Sequence, residues 1–275
     1  MEVDETGLEM NFYGNGKKPY YICTYLASKS VPTKGIEAVG GFLFYMTRDG
    51  FKFKAIDNLF DQTPVKKYVY NNTGITPTGF DDIIISYKIG EDIDFEKNLN
   101  IGAYHSKAQF FDFYKMEFKE NAKKIEEQEG VAGTAGKDLI TVNEEFIQKS
   151  SRTMSLIKDY GVNFKGTGEE QLSNFKQSEE KENYQSEKTQ VQTIMRYNQM
   201  FTIKTEILVS GDFSIKAGDI IECSFPDVES GENKDENRQT GGLYLVADVC
   251  HRITKNDSFT KMNLVRDSYG KQGGF

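Results

Sequence analysis

Alternating apolar and polar positions are clearest near the C-terminal end of the chain, in residues 201–209. The odd-numbered positions, separated mostly by polar residues, are Phe201, Ile203, Thr205, Ile207 and Val209. Because successive side chains of a strand point to opposite faces, this segment is predicted to be a strand with one face in a core. Further strands are predicted over 220–225, 243–254 and 259–266. Together these strands indicate a small closed antiparallel β-barrel.

The pattern at residues 19–29 has the spacing of a helix. Ile22, Tyr25 and Leu26 recur at i, i+3 and i+4, which is the apolar stripe of a helix packed on a sheet. Pro19 suits the first position of such a helix, and Pro32 cannot continue it. We therefore predict a helix over 19–29 with those three side chains facing inward.

A hairpin is predicted next, with strands over 42–47 and 51–56. Asp49-Gly50 lies between these two runs, and an Asp-Gly pair in that position is a strong hairpin signal. More strands are predicted over 82–88, 100–105 and 109–119, the last with Tyr114, Met116 and Phe118 alternating with charged residues. This part of the chain is predicted to be mostly β with one helix packed against it.

Residues 120–185 have a different composition, with charged runs and few large apolar side chains. Such a segment buries little apolar surface, so we expect extended arms or loops that become ordered against a neighbouring subunit. One short helix is predicted near 150–160, with Met154 and Ile157 facing inward and Gly161 as its stop.

A second helix, over 187–198, leads into the barrel, and its apolar residues are Val191, Ile194, Met195 and Tyr197. The predicted fold class is therefore α+β and β-rich, a mixed helix-and-hairpin module followed by a small antiparallel β-barrel. The predicted domains are an α+β module at 1–119, a polar linker or arm region with a short helix at 120–185, a helix plus barrel at 186–268, and a flexible tail at 269–275.

Size and cysteine content narrow the class of protein. The 275 residues, 31.3 kDa, suffice for one or two hydrophobic cores. The sequence has no run of 18 apolar residues and no basic N-terminus followed by an apolar stretch, so we expect a soluble protein that is not secreted. Cys23, Cys223 and Cys250 are widely spaced, which disfavours a disulfide framework and favours a reducing cytosol.

The charge of the chain, −8 at pH 7, argues against binding nucleic acid by neutralising its phosphates. A conduit that lets DNA slide past would also be acidic, and the alternative is that acidity only keeps the protein dispersed. An acidic loop over 227–240 also has two interpretations. It lines a channel or meets a basic partner, or it is only a solvated extension of a hairpin. The 15 tyrosines and 20 phenylalanines suggest that some faces are buried between subunits.

The sequence contains no complete catalytic or ligand-binding motif. Residues 130–137 resemble a phosphate-binding loop, but Val131 stands where the motif needs glycine and Asp138 where it needs Ser or Thr. A glycine hinge is the simpler interpretation. The 42 acidic residues are too many to single out a pair for glycoside cleavage, and no Gly-x-Ser-x-Gly turn occurs.

The two histidines, His105 and His251, provide little material for acid–base or metal chemistry. Cys250 and His251 are adjacent in a predicted strand, so they should point to opposite faces and not share a metal ion. We expect Cys250 in the core and His251 on the polar face. The sequence assigns no catalytic, cofactor-binding or metal-ligating residue, and we expect no enzyme activity and no cofactor.

Several phrases resemble one protein family, the central baseplate hub proteins of contractile-tailed, T-even-like bacteriophages. In the C-terminal part these phrases are Met195-Arg196-Tyr197-Asn198 with Phe201-Thr202, Lys216-Ala217-Gly218-Asp219-Ile220-Ile221, the run 242–251, and Leu264-Val265-Arg266-Asp267. In the N-terminal part they are Lys17-Lys18-Pro19-Tyr20, Gly41-Phe42-Leu43-Phe44-Tyr45 and Asp49-Gly50-Phe51.

The resemblance implies a structural virion protein of the tail baseplate, assembled in the host cytoplasm. It implies a ring, in such hubs a homotrimer, whose tube-type barrels continue the bore of the tail tube and whose other end seats the membrane-puncturing spike. The implied partners are further copies of the chain, the spike, the tail tube and other baseplate proteins, with no specific nucleic-acid binding and no membrane segment. The part of the protein in DNA ejection would then be mechanical and not chemical.

One departure from the family pattern is the number of tube domains. Such hubs contain two per chain and only one is evident here, so we expect an upstream tube domain outside this sequence. The alternatives from other classes are a tail-associated peptidoglycan hydrolase and a receptor- or polysaccharide-binding tail module.

Overall fold

The computed structural model describes residues 1–7, 14–33, 40–71, 73–90, 95–113, 115–128, 133–140, 142–157, 167–180, 186–226 and 239–270. The strands are β1 (Glu2–Val3), β2 (Phe42–Thr47), β3 (Gly50–Ala55), β4 (Lys66–Tyr70), β5 (Asp82–Ile89), β6 (His105–Asp112), β7 (Glu117–Lys124), β8 (Arg152–Ile157), β9 (Ile203–Ser210), β10 (Ile220–Ser224), β11 (Gly242–Ile253) and β12 (Ser258–Arg266). The helices are α1 (Pro19–Lys29), α2 (Ile56–Phe60), α3 (Phe95–Asn100), α4 (Glu144–Ile147), α5 (Gly168–Glu180) and α6 (Ser186–Gln199). The β-rich α+β class is confirmed, and it includes a closed six-stranded barrel.

The barrel has the strand order β10-β11-β12-β9-β5-β4, and the parallel pairing of β4 with β10 closes it. The predicted strands in residues 201–266 supply four of these strands, while β4 and β5 come from the N-terminal part of the sequence. The barrel is therefore larger than the C-terminal alternation predicted, because β4 pairs with β10 and β5 pairs with β9 across long stretches of sequence. It is also mixed and not purely antiparallel as predicted, since β4 runs parallel to both β10 and β5. The predicted domain boundaries themselves remain predictions.

Side chains fill the interior of the barrel. Ile207 and Val209 of β9 are fully buried, as the alternation predicted, while Phe201 lies before the strand and is half exposed. They pack with residues from the other strands, including Tyr68, Ile84, Tyr244, Met262 and Leu264. An interior filled in this way is a core and not a pore, so an aqueous bore would have to lie outside the barrel.

A bulge in β11 overturns the prediction that Cys250 is a core residue. The register with β12 shifts between Val246 and Asp248, so two residues of β11 oppose one of its partner there. The side-chain alternation is thereby inverted beyond the bulge. Val249 packs against the barrel core, while Cys250 is exposed.

The helix α1 and the strand β2 have the predicted bounds, whereas β3 begins and ends one residue earlier than predicted, at Gly50 and Ala55. β2 and β3 pair antiparallel across the Asp49-Gly50 turn, and α1 packs on this sheet through Ala27. The inward stripe of α1 differs from the prediction at Tyr25, which is 41% exposed. The Lys29 ammonium lies 4.8 Å from the centre of the Tyr25 ring, a cation–π contact that suits an exposed position.

A second three-stranded sheet, in the order β7-β6-β8, corrects three predictions. The strand predicted over 109–119 is a hairpin that turns near Met116, whose φ is +53°. The strand predicted over 100–105 is the end of α3 and a turn at Gly102, where φ is +78°. The segment predicted as a helix near 150–160 is the strand β8, paired parallel with β6. Tyr114 and Gly161 lie outside the described residues.

The strand β8 forms because its residues alternate with period two. Met154 and Leu156 pack with α6, whereas Thr153 and Ser155 are exposed. Ile157, predicted to be inward, is 63% exposed. The opposite side of this core is supplied by Val191 and Met195 of α6, as predicted, together with Ala108 and Phe110 of β6.

The sheet β7-β6-β8 and helix α6 belong to an insertion in the barrel. β5 and β9 are neighbouring antiparallel strands, although residues 90–202 separate them in sequence. The Gly90 amide donates a hydrogen bond of 2.7 Å to the Lys204 carbonyl, so the chain leaves and re-enters the barrel at one place. The insertion is thus held at both of its ends by adjacent barrel strands.

Candidate functional site

The last turns of α6 contact four separate parts of the fold. Met195 packs in the core of the sheet β7-β6-β8, and Arg196 pairs with Asp57 of α2. The Tyr197 hydroxyl donates to the Phe42 carbonyl of β2 at 2.6 Å, and the Asn198 amide donates to the carbonyl of residue 101 at 2.8 Å. These four consecutive residues join the insertion to α2 and the hairpin β2–β3, and Tyr197 also packs against a cluster that includes the barrel residues Leu245 and Val265. We call them and their partners the joint.

The centre of the joint is an ion pair between the buried Arg196 and the partly exposed Asp57. Arg196 is 4% exposed, and its guanidinium donates to Asp57 Oδ1 through Nη1 and to the Gly133 carbonyl through Nη2 at 2.9 Å. Asp57 Oδ1 also accepts the Gly133 amide at 2.9 Å. The three groups therefore satisfy one another, which a buried charge requires.

Residues 133–138, the strap, run across the end of the barrel. The Ala135 amide donates to Asp267 Oδ1 at 3.0 Å, and the Gly136 amide donates to Ser268 Oγ at 2.6 Å. Asp138 exchanges two backbone hydrogen bonds with Tyr269, at 2.9 and 2.8 Å. The described part of the supposed glycine hinge is thus docked on the barrel through its backbone.

Glycine at position 136 permits this docking. A Cβ there would overlap the Tyr269 carbonyl and the Arg266 guanidinium. Arg266 is fully buried, donates to the Gly241 and Gly270 carbonyls at 3.1 and 2.6 Å, and lies 5.0 Å from the centre of the Tyr244 ring. The phrase 264–267 therefore ends the barrel and receives the strap.

The turn Lys216-Ala217-Gly218-Asp219 joins the barrel to the hairpin β2–β3. Gly218 has φ +90°, and a Cβ there would overlap the Tyr45 hydroxyl. The Gln62 amide donates to the Gly218 carbonyl at 3.1 Å, and Lys216 Nζ lies 2.8 Å from Asp49 Oδ2. Only a residue without a side chain allows the turn and the hairpin to approach this closely.

A polar cavity of about 250 Å³ lies between this turn and the hairpin. Its walls include Tyr45, Lys52, Lys54 and Asp219. Burial raises the pKa of Tyr45 to about 12 and raises the pKa of Asp219 above its usual value. Both lysines pair with Glu2, whose pKa their hydrogen bonds lower to about 2.

The strap does not serve as a phosphate cradle in its described part. A phosphate-binding loop needs free backbone amides, but the amides of Gly133, Ala135 and Gly136 already donate to Asp57, Asp267 and Ser268. Residues 130–132 lie outside the described residues, as does the acidic loop predicted over 227–240 except for its last two positions.

The histidines and cysteines are distributed over different environments. His105 is buried at the start of β6, while His251 is exposed on β11 with Nδ1 3.0 Å from Thr260 Oγ1. Cys223 lies in the barrel core, where burial raises the pKa of its thiol. Within the described ranges, no group of three or more His, Cys, Asp or Glu side chains is placed to hold a metal ion.

The sequence contained one signal for the joint that pattern reasoning missed. Arg196 is the single charged residue in 189–203, a segment that includes most of α6 and is otherwise made of apolar and uncharged polar residues. A lone charge in such a helix indicates a buried partner. The identity of that partner, Asp57, depends on tertiary structure and could not be read from the chain.

Among the described helices, none combines the length and apolarity needed to cross a membrane. No protein-family model matches the chain, and no curated protein matches it in sequence.

Two solved structures align with most of the chain. A tail protein from Neisseria meningitidis MC58 aligns with 94% of this chain and 57% of its own, at 12% identity and a TM-score of 0.44. The 43 kDa tail protein of prophage MuSo2 from Shewanella oneidensis aligns with 97% of this chain and 58% of its own, at 11% identity and a TM-score of 0.44. The chain thus spans less than two thirds of the length of either protein.

Proposed function

We propose that this chain is a structural component of a phage tail baseplate hub. Copies of it would form a ring, a trimer in this proposal, whose barrels surround the continuation of the tail-tube bore and whose other end seats the spike. Its partners would be further copies, the spike, the tail tube and other baseplate proteins. The role is mechanical, and the chain acts as a rigid spacer in the virion.

The observation that supports this proposal most is the joint. The phrases that resemble hub proteins come from both ends of the sequence, and in the fold they meet: Arg196 and Tyr197 contact α2 and β2, and the turn at Gly218 contacts Tyr45. Their side chains are engaged in fixing modules to one another. A rigid multi-module unit is what a load-transmitting ring requires.

The barrel also suits a ring. Because side chains fill its interior, a passage for DNA would lie between copies, on the axis of the ring. A closed barrel has no free edge strand, so neighbouring barrels would meet through side chains. The net charge of −8 favours a wall along which phosphates slide without being held.

Multi-angle light scattering of the purified chain tests the ring. We expect a mass near three times 31.3 kDa at high protein concentration. A mass of one chain at every concentration would overturn the ring. A turbidity assay on purified cell walls separates this proposal from a peptidoglycan hydrolase, and we expect no clearing; clearing would overturn the mechanical role.

A further inference from the structure

Residues 1–7, which we call the arm, lie as an extra strand along one edge of the hairpin β2–β3. β1 pairs parallel with β3, and Glu2 is in register with Lys52. The Asp4 amide donates to the Phe53 carbonyl at 2.9 Å. Because β2 covers the other edge of β3, the arm occupies the edge that the hairpin itself leaves open.

Two carboxylates of the arm fit two lysines of β3. Lys52 and Lys54 point to the same face of the strand, and their side chains are 12% and 20% exposed. Glu2 pairs with both lysines, and Asp4 Oδ1 lies 3.0 Å from Lys54 Nζ. Asp4 Oδ2 also accepts a hydrogen bond of 2.9 Å from the Asn58 side-chain amide. This edge therefore recognises carboxylates at alternate positions of an extended strand.

Apolar burial contributes little to holding the arm. Met1 is 73% and Val3 55% exposed, and no residue of the arm is buried. β1 is two residues long, whereas β3 has six residues. The arm is thus held by polar contacts along part of the edge. A strand that makes the same contacts and further ones would displace it.

The edge offers further contacts beside those of the arm. β3 begins at Gly50, two positions before its first pair with β1, and Phe51 is 43% exposed. The polar cavity of about 250 Å³ adjoins this edge, and Glu2 forms part of its wall. A longer strand would reach both surfaces. The arm of a second copy would bring only the contacts that the chain's own arm already makes, so it would have no advantage.

We propose that the β3 edge is a docking site for an extended segment of another protein, in which acidic residues alternate with apolar ones. Glu2-Val3-Asp4 has this pattern and occupies the site until the partner displaces it. The partner must supply carboxylates, because Lys52 and Lys54 would otherwise lose the acidic groups that they pair with while they remain mostly covered. The inference does not depend on the ring, since one chain provides the whole site.

Fluorescence anisotropy with a labelled peptide tests this site in the full chain. The probe is a synthetic peptide with the sequence of residues 1–7, labelled at its C-terminal end. The double variant Glu2→Lys/Asp4→Lys places like charges opposite Lys52 and Lys54, which drives its own arm off the edge. We expect it to bind the peptide about tenfold or more tighter than the unmodified chain, where the tethered arm competes at an effective concentration on the order of millimolar. Equal binding by the two proteins, or none, would overturn the proposal.

A matched peptide tests whether carboxylates are what the edge recognises. Gln and Asn replace the Glu and Asp of the probe, so length and backbone stay the same. On the double variant this peptide should bind about tenfold or more weaker, because charge-assisted hydrogen bonds are lost. Circular dichroism would verify that the variant folds. Equal affinity for the two peptides would contradict a site for acidic strands.

A second measurement needs no variant. In the ¹⁵N-labelled unmodified chain, excess acidic peptide should move the amide NMR signal of Val3 as the arm leaves the edge, and the matched amide peptide should not. The same response to both peptides, or no response to either, would overturn the displacement of the arm.

Light scattering of the double variant separates this site from the ring. We expect the same mass as for the unmodified chain. A lower mass would mean that copies exchange their arms, which assigns the edge to a second copy, overturns an outside partner and leaves the ring standing. A one-chain mass for the unmodified protein, with selective peptide binding intact, would overturn the ring alone.

Discussion

The ion pair between Arg196 and Asp57 provides the sharpest test of the joint. Removing one partner of a buried pair leaves the other charge uncompensated, which typically costs about 3–5 kcal/mol. Arg196→Met keeps an apolar side chain of similar length in place. The Asp57 carboxylate that remains is 26% exposed and still accepts the hydrogen bond from the Gly133 amide. We therefore expect the lower end of that range, about 3 kcal/mol of unfolding free energy. Each kcal/mol corresponds to about 2–4 °C in Tm for domains of 150–250 residues, so Tm should fall by about 6–12 °C.

A double-mutant cycle shows whether the two side chains act on each other. Asp57→Asn leaves the buried guanidinium without its counter-charge, whereas the double variant leaves no unpaired charge. The double variant should therefore cost less than the sum of the single variants, by about 1 kcal/mol or more. Urea unfolding followed by circular dichroism and tyrosine fluorescence gives the free energies, since the chain has no tryptophan.

The matched control is an exposed ion pair on the barrel. Lys261 Nζ lies 2.8 Å from Glu206 Oε2, with side chains 47% and 45% exposed. Exposed pairs contribute about 0–1 kcal/mol, so Lys261→Met should change stability little. If Arg196→Met cost no more than Lys261→Met, or if the cycle were additive, the joint would not be held by this pair.

Three further predictions concern other parts of the fold. Gly218→Ala should lower the free energy of unfolding in urea by about 2–4 kcal/mol, since it combines a positive φ with overlap on Tyr45. The control Gly74→Ala, with a positive φ in open space, should cost only about 1 kcal/mol. Equal costs for the two variants would contradict the close approach of the turn and the hairpin. Hydrogen bonds from Lys52 and Lys54 lower the pKa of Glu2 from 4.5 to about 2, so the contribution of β1 is fully present above pH 4.5 and is lost as the pH falls toward 2. The amide NMR signal of Val3 should move toward its random-coil position in that window, and an unchanged signal at pH 2 would refute the linkage. A thiol reagent at pH 8 should label Cys250 in the folded protein and Cys223 only after unfolding, because burial raises the pKa of Cys223 and blocks access; rapid labelling of Cys223 under native conditions would contradict its place in the core.

Local pattern was sufficient for the elements whose cause is local. The Asp49-Gly50 turn fixed the hairpin β2–β3, and the alternation in residues 203–209 fixed the inward face of β9. The helix α1 has the bounds that Pro19 and its apolar spacing predicted. In each of these cases the determining residues lie within a few positions of one another.

Features that depend on distant partners were missed or misassigned. β8 was predicted as a helix because its six residues alternate too briefly to reveal a strand without β6 beside it. Cys250 was placed in the core because the bulge near Asp248 depends on the pairing of β11 with β12. The closure of the barrel by β4 also required tertiary structure, since β4 and β10 are far apart in the sequence.

The hydrogen bond between Gly90 and Lys204 has a consequence for how this architecture can change. The two points where the polypeptide departs from and rejoins the cylinder lie side by side, so the segment between them can change in length without moving either point. Residues 133–138 and 195–198 of that segment are packed on the rest of the fold, so the part that can vary most is the outer sheet β7-β6-β8. Molecules built in this way could therefore bind different partners through a changed outer sheet while the barrel stays the same.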